Sequence, residues 1–146
     1  MREISDVGVV AHVIQLAVAP VFLLSAIAAM LTVLTNRLGR IVDRAHVLED
    51  ELENTPTEIV AKLHAELATL SRRSKHINLA ITLSTITALL VCAVIAILFL
   101  GNFFQFDFTI PIALFFITAM LLLVVAFLIF LREVFIATAS LRIGAH

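Results

Sequence analysis

Three stretches of this chain contain no aspartate, glutamate, lysine or arginine: Val7 to Asn36, His76 to Phe106, and Phe108 to Leu131. Each exceeds the roughly 20 mostly apolar residues that carry a helix across the hydrocarbon of a bilayer. In lipid every backbone N–H and C=O must be satisfied within the protein, so a spanning segment is a helix or part of a closed barrel. The strict alternation of a barrel strand is absent, which selects helices. The apolar part of the second stretch ends near Leu100, giving spans at about 7–35, 77–100 and 109–131. Composition agrees, at 62% hydrophobic and 14% charged, against about 45–50% and ~25% for a soluble domain. No soluble core of this size could hide so much apolar surface.

The first stretch does not read as a cleaved leader. Its basic region would be Met1-Arg2, followed at once by Glu3 and Asp6, and the apolar run is longer than the ~7–15 residues of a leader. We expect a retained helix.

Orientation follows from the ten lysines and arginines. Arg37, Arg40, Arg44, Lys62, Arg72, Arg73 and Lys75 lie between the first two stretches, Arg132 and Arg142 after the third, and only Arg2 on the opposite side. The positive-inside rule then places the N-terminus outside, and the long loop and C-terminus in the cytoplasm. The turn from Gly101 to Phe108, with four phenylalanines, fits a greasy outer interface.

The segment 36–76 has structure of its own. Leu34, Leu38, Ile41, Ala45, Leu48 and Leu52 form a heptad-like seam that continues out of the first span past Gly39. Asn54-Thr55-Pro56-Thr57 breaks it, with Thr57 as the expected cap of a returning helix. Ile59, Leu63, Leu67, Leu70 and Ile77 carry the second arm. The expected fold is all-α: a three-span transmembrane bundle with a cytoplasmic antiparallel helical hairpin between spans one and two. Glu49, Asp50, Glu51 and Glu53 make the hairpin tip acidic at a helix C-terminus, where the dipole disfavours them; Lys62 is a candidate partner.

Within the spans, His12 and Gln15 read as interfacial hydrogen-bonding groups and Pro20 as a kink. Ala80, Ser84, Ala88, Cys92 and Ala96 recur at intervals of four, a small-residue row suited to close helix approach. Asn78, Thr82 and Thr85 add polar atoms. Asn78, Thr82, Ser84, Thr85 and Ala88 are therefore the candidate helix-packing or pore face. The lone Cys92 offers no intramolecular disulfide.

No catalytic set emerges. His12, His46, His64, His76 and His146 are dispersed without metal-ligand spacing, although His46 and His64 could meet across the hairpin. There is no glycine-rich phosphate loop, and the basic residues are not interleaved with aromatics as in nucleic-acid binders. No cofactor or metal, no nucleic acid and no enzymatic activity are expected.

Arg37, Arg40, Arg44, Arg72 and Arg73 are candidate contacts for lipid headgroups or other anions. Asp43 is a candidate partner for Arg40, Arg72 or Arg73, and Glu133 for Arg37 or Arg132. The runs Pro20–Leu24 and Leu31–Arg44, above all Asn36-Arg37-x-x-Arg40-x-x-Asp43-Arg44, together with Leu70-Ser71-Arg72-Arg73 and Arg132-Glu133, resemble a family of small bacterial inner-membrane proteins classed as a domain of unknown function. The resemblance covers nearly the whole chain and implies a three-span fold with no activity to carry over. The functional expectation is an oligomeric scaffold or interaction protein whose partners are membrane lipids and copies of itself. The alternative is a small homo-oligomeric channel with a pore shared between subunits.

Overall fold

The computed structural model describes residues 2–143, with side chains over 3–139. Three helices account for nearly all of it: α1 (Arg2–Glu53), α2 (Thr57–Phe104) and α3 (Thr109–Ile143). Among the described residues there are no strands. All three helices are long and apolar enough to cross a membrane. At ~1.5 Å per residue the 52 residues of α1 extend about 78 Å, well beyond a hydrocarbon layer of ~30 Å. The charged part of α1 must therefore project out of any membrane that holds its apolar part.

α1 runs without interruption through Pro20 and Gly39. A proline removes one intrahelical hydrogen bond and a glycine costs ~1 kcal/mol. Neither outweighs the burial available along the seam: Pro20 is itself buried, and Ile41, two residues beyond Gly39, is 8% exposed. α1 ends where Asn54 Nδ2 and the Thr55 hydroxyl donate to the carbonyls of Asp50 and Glu51, satisfying last-turn acceptors. α2 starts at Thr57, and the Pro56 carbonyl accepts from the amide of Ile59 at 3.2 Å. The capping position thus falls to Pro56, one residue before the Thr57 that spacing suggests. Proline fits there because its missing amide hydrogen is one that a first turn leaves unpaired.

The chain forms two compact units. The first contains the described residues up to Met30 together with Leu83–Val124. Its buried side chains are Val13, Ala17, Pro20, Ile27 and Met30 of α1, Ser84, Thr87, Val91 and Val94 of α2, and Ala119 and Leu123 of α3. The second contains Leu31–Thr82 and the described residues from Val125 onward. There Leu34, Ile41 and Leu48 of α1 are buried with Leu63, Ile77 and Ala80 of α2 and Ala126 and Glu133 of α3. The hairpin lies in this second unit. Arg44 and Glu66, equidistant from Thr55, meet at 3.3 Å, which fixes the antiparallel register.

Much of the apolar surface faces outward, including Phe22 (73% exposed), Ile110 (74%) and Leu89 (65%). That outcome is natural for helices whose solvent is hydrocarbon, since burial against protein gains little over burial against lipid.

At the end of α2, Gln105 adopts a positive φ of 55°, the left-handed position that commonly follows a helix. α3 then opens with Asp107 accepting from the amide of Thr109 at 3.1 Å and from its hydroxyl. These two bonds, the hydroxyl first, hold the Asp107 carboxyl below the usual carboxylate range.

Candidate functional site

Two groups of residues stand out: an arginine-lined crevice in the second unit, and the outward face of α2.

The crevice is built by helical spacing and hairpin register. Arg37, Arg40 and Arg44 share one side of α1 at intervals of three and four. The antiparallel return brings Arg73 of α2 level with Arg37, because both stand equally far from Thr55. Together with Ile41 and Leu70 these four arginines line a cavity of about 270 Å³. Arg44 is bonded to Glu66 at 3.3 Å with both side chains about half exposed. Arg73 donates from Nε to Glu133 at 2.6 Å. That pair is unequal: the Glu133 side chain is 3% exposed, that of Arg73 27%.

Arg37 is the least satisfied of the four. Its guanidinium lies 5.9 Å from the centre of the Phe130 ring, within cation–π range. Its Nη1 is buried with no hydrogen-bond partner among the described residues. Arg40 is exposed and forms no ion pair or side-chain hydrogen bond among the described residues.

Four of the five arginines singled out from sequence are thus brought together, and one is not. Arg72 is exposed and borders a separate small depression with Ala68 and Thr69. One residue from Arg73 is ~100° around a helix, so adjacent arginines cannot serve the same crevice. Glu133 pairs with Arg73 rather than with Arg37 or Arg132. Its position continues the buried series Ala119, Leu123, Ala126 of α3, which aims it at α2. Asp43 makes none of the expected pairs, and Glu66, not Lys62, supplies the hairpin's cross-arm ion pair. Phe130 and Glu66 were not foreseen, although Phe130 falls three residues before Glu133 on the same series.

The small-residue row of α2 does not form one packing face. Ala80 and Ser84 are buried, Ala88 is half-buried, and Cys92 and Ala96 are exposed. The reason is geometric: at ~100° per residue, a step of four advances ~40° past a full turn, so five residues at intervals of four drift ~160° around the helix. The buried residues are Ile77, Ala80, Ser84, Thr87, Val91 and Val94, at alternating steps of three and four. This is the period that keeps a seam facing its neighbours. Thr87 is fully buried and donates its hydroxyl to the Leu83 carbonyl at 2.8 Å.

The candidate packing or pore set therefore divides. Ser84 belongs to the interior. Asn78, Thr82 and Thr85 are exposed, and Thr82 donates to the Asn78 carbonyl at 2.9 Å. In the first unit Thr85, Leu89, Cys92 and Ala96 form an outward row at steps of four, three and four. Asn78 and Thr82 have the same helical phase further back on α2. The row is centred roughly 150° around the helix from the buried one, at ~100° per residue.

His46 and His64 do not bond to one another. Each donates from Nδ1 to the carbonyl four residues back in its own helix, Val42 at 3.0 Å and Val60 at 2.8 Å. Among the described residues no three His, Cys, Asp or Glu side chains gather into a group that could hold a metal.

A sequence model of the family described as protein of unknown function DUF2721 matches residues 17–143. Neither the curated proteins nor the solved structures contain a match to the chain.

Proposed function

The chain belongs to the DUF2721 family, and from that premise we propose that this multi-pass membrane protein is a non-enzymatic scaffold that assembles with copies of itself through the outward face of α2. The observation that carries the reading is the exposed row Thr85, Leu89, Cys92, Ala96: three small or hydroxyl-bearing side chains with one leucine among them, set at the seam period, on a side of the helix left open among the described residues. Large aliphatic groups serve lipid contact as well as any. Small residues instead let a second helix approach closely, gaining dispersion contacts and backbone proximity that lipid chains do not supply.

The remaining parts of the reading are consistent with this role. The hairpin and C-terminus belong in the cytoplasm of a bacterial inner membrane, supported by the nine basic residues on that side. The hairpin's own seam is consumed within the protomer, since Leu34, Ile41, Leu48 and Leu63 are all buried. Assembly then rests on the spans rather than on the hairpin. A pore shared between subunits would place the same face around water. Thr82, however, already has its donor satisfied within its own helix, so dry packing does not strand its hydroxyl hydrogen.

Cys92 is exposed on this face and is the chain's single cysteine, which makes the test direct. Mild oxidation of native membranes should convert the protein to a disulfide-linked dimer. A cysteine moved to the lipid side of α3, in the double variant C92A/L121C, should remain monomeric. Absence of the Cys92 dimer, or equal dimer from the Leu121 position, would refute this interface. Ion flux through reconstituted liposomes would instead favour the shared pore.

A further inference from the structure

We propose that the arginine crevice of the second unit is a binding site for a doubly charged phosphate group, held by the guanidinium forks of Arg37 and Arg40. Charge is the first argument. Four guanidiniums line the cavity, and two carboxylates, Glu66 and Glu133, are bonded to Arg44 and Arg73. Among the described residues the other two, Arg37 and Arg40, make no ion pair, which leaves two positive charges uncompensated. A phosphate dianion matches that excess.

Hydrogen bonding is the second argument, and it is independent of the first. A buried guanidinium nitrogen without an acceptor is costly, and such atoms are rare in folded proteins. Nη1 of Arg37 is one. The ring of Phe130 lies 5.9 Å from its guanidinium carbon and restricts how the group can turn. A ring beside the guanidinium leaves it fewer orientations to give up when an anion binds, which lowers the ordering cost of binding. Phosphate oxygens accept pairs of parallel N–H bonds from a guanidinium in a way no single point charge reproduces.

Place and size narrow the ligand. Arg37 follows directly on the apolar run of α1, and Arg73 precedes that of α2 by a few residues. On α3, Leu131 closes the apolar run and Arg132 begins the charged one, with Phe130 and Glu133 on either side of the change. All three helices change from apolar to charged at this level, where a bilayer presents its phosphates. About 270 Å³ lies below the ~300–1,000 Å³ of sites that enclose whole drug-sized ligands. The cavity suits a headgroup with its tail outside. The same chemistry is offered by phosphatidic acid, a lipid monoester, and by free inorganic phosphate.

The test uses the full-length protein in nanodiscs of phosphatidylcholine, with thermal unfolding and native mass spectrometry as readouts. A ligand that binds the folded state raises the unfolding midpoint. Phosphatidic acid doped into the discs, or inorganic phosphate in the buffer, should raise it. A response to the lipid alone identifies a headgroup site; a response to inorganic phosphate in undoped discs identifies a soluble-anion site. Removing one charge-assisted fork, in R37Q or R40Q, should weaken the responding ligand about tenfold or more. R40K, which keeps the charge and loses the fork, should fall between. R132Q removes the same charge from an exposed residue outside the crevice and should bind as the parent does. If R37Q does not fold, R40Q decides alone, since Arg40 is exposed and makes no ion pair or side-chain hydrogen bond among the described residues. No response to either probe, or equal weakening in R132Q and R40Q, would overturn the proposal.

Discussion

The Arg73–Glu133 pair gives the sharpest test of how the second unit holds together, because its two ends sit in different surroundings. Glu133 is 2% exposed, whereas the Arg73 side chain retains 27% of its exposure. Removing one partner of a buried ion pair costs about 3–5 kcal/mol, most of it from the charge left stranded. R73M strands the buried carboxylate and should cost near the lower end of that range, about 3 kcal/mol, because water already reaches the arginine side. E133L strands a guanidinium that can turn toward water, and it adds apolar volume on a buried seam. It should cost roughly 1 kcal/mol, the scale of a lost hydrogen bond less the hydrophobic gain. The double variant R73M/E133L should cost less than R73M alone. By contrast, E66Q breaks a pair exposed by 53% and 44% and should cost no more than ~0.5 kcal/mol. Reversible unfolding in mixed micelles provides the four free energies of the cycle. Equal costs for R73M and E133L, or a coupling below ~0.5 kcal/mol, would refute the claim that burial of Glu133 decides the energetics.

Three further outcomes are expected. Ala119 is fully buried on the α3 seam, so A119L should destabilise by about 1–3 kcal/mol through overpacking in the same unfolding assay. Gln105 holds a left-handed φ of 55°, and Q105G should stabilise by up to about 1 kcal/mol by removing the side chain's steric penalty. Asp107 accepts two bonds from Thr109, and its carboxyl titrates below the usual range. Its contribution to the start of α3 is therefore complete above the ordinary aspartate value and is lost as pH falls through the lower folded-state value. Amide exchange at Thr109 to Ile112, corrected for intrinsic rates, should accelerate across that acid window and do so less in D107N.

The helices and their turns are legible in the sequence because one strong signal fixes them. Charge-free stretches of this length have few alternatives in lipid. The heptad from Leu34 to Leu52 carries α1 through Gly39, as the buried Leu34, Ile41 and Leu48 confirm. The break at 54–56 is also legible, since proline disfavours continuation and two short polar residues supply side-chain donors to the last-turn carbonyls. The face that α2 buries is harder to see. Intervals of four look like a stripe on paper, and the eye favours alanine at each step. The interior instead takes Ile77, Val91 and Val94 along with Ala80, because phase rather than residue size decides which side a position faces.

The crevice shows why pairing of charges is less legible than their clustering. The motif around Arg37, Arg40 and Arg44 announces a basic patch by spacing alone, but its partners arrive from two other helices. Which acid meets which arginine depends on the hairpin register and on the phase of α3, both tertiary quantities. Glu133 reaches Arg73 because α3 buries positions 119, 123, 126 and 133 in one phase, and a carboxylate at the last of these cannot turn to Arg132 without leaving that seam. Phe130 is carried to Arg37 by the same phase. The buried glutamate and the ring thus constrain the two arginines of highest consequence in opposite ways: Arg73 is neutralised, and Arg37 is oriented without being neutralised. Substituting Phe130 by leucine should consequently leave the Arg73–Glu133 coupling intact while weakening anion binding through Arg37.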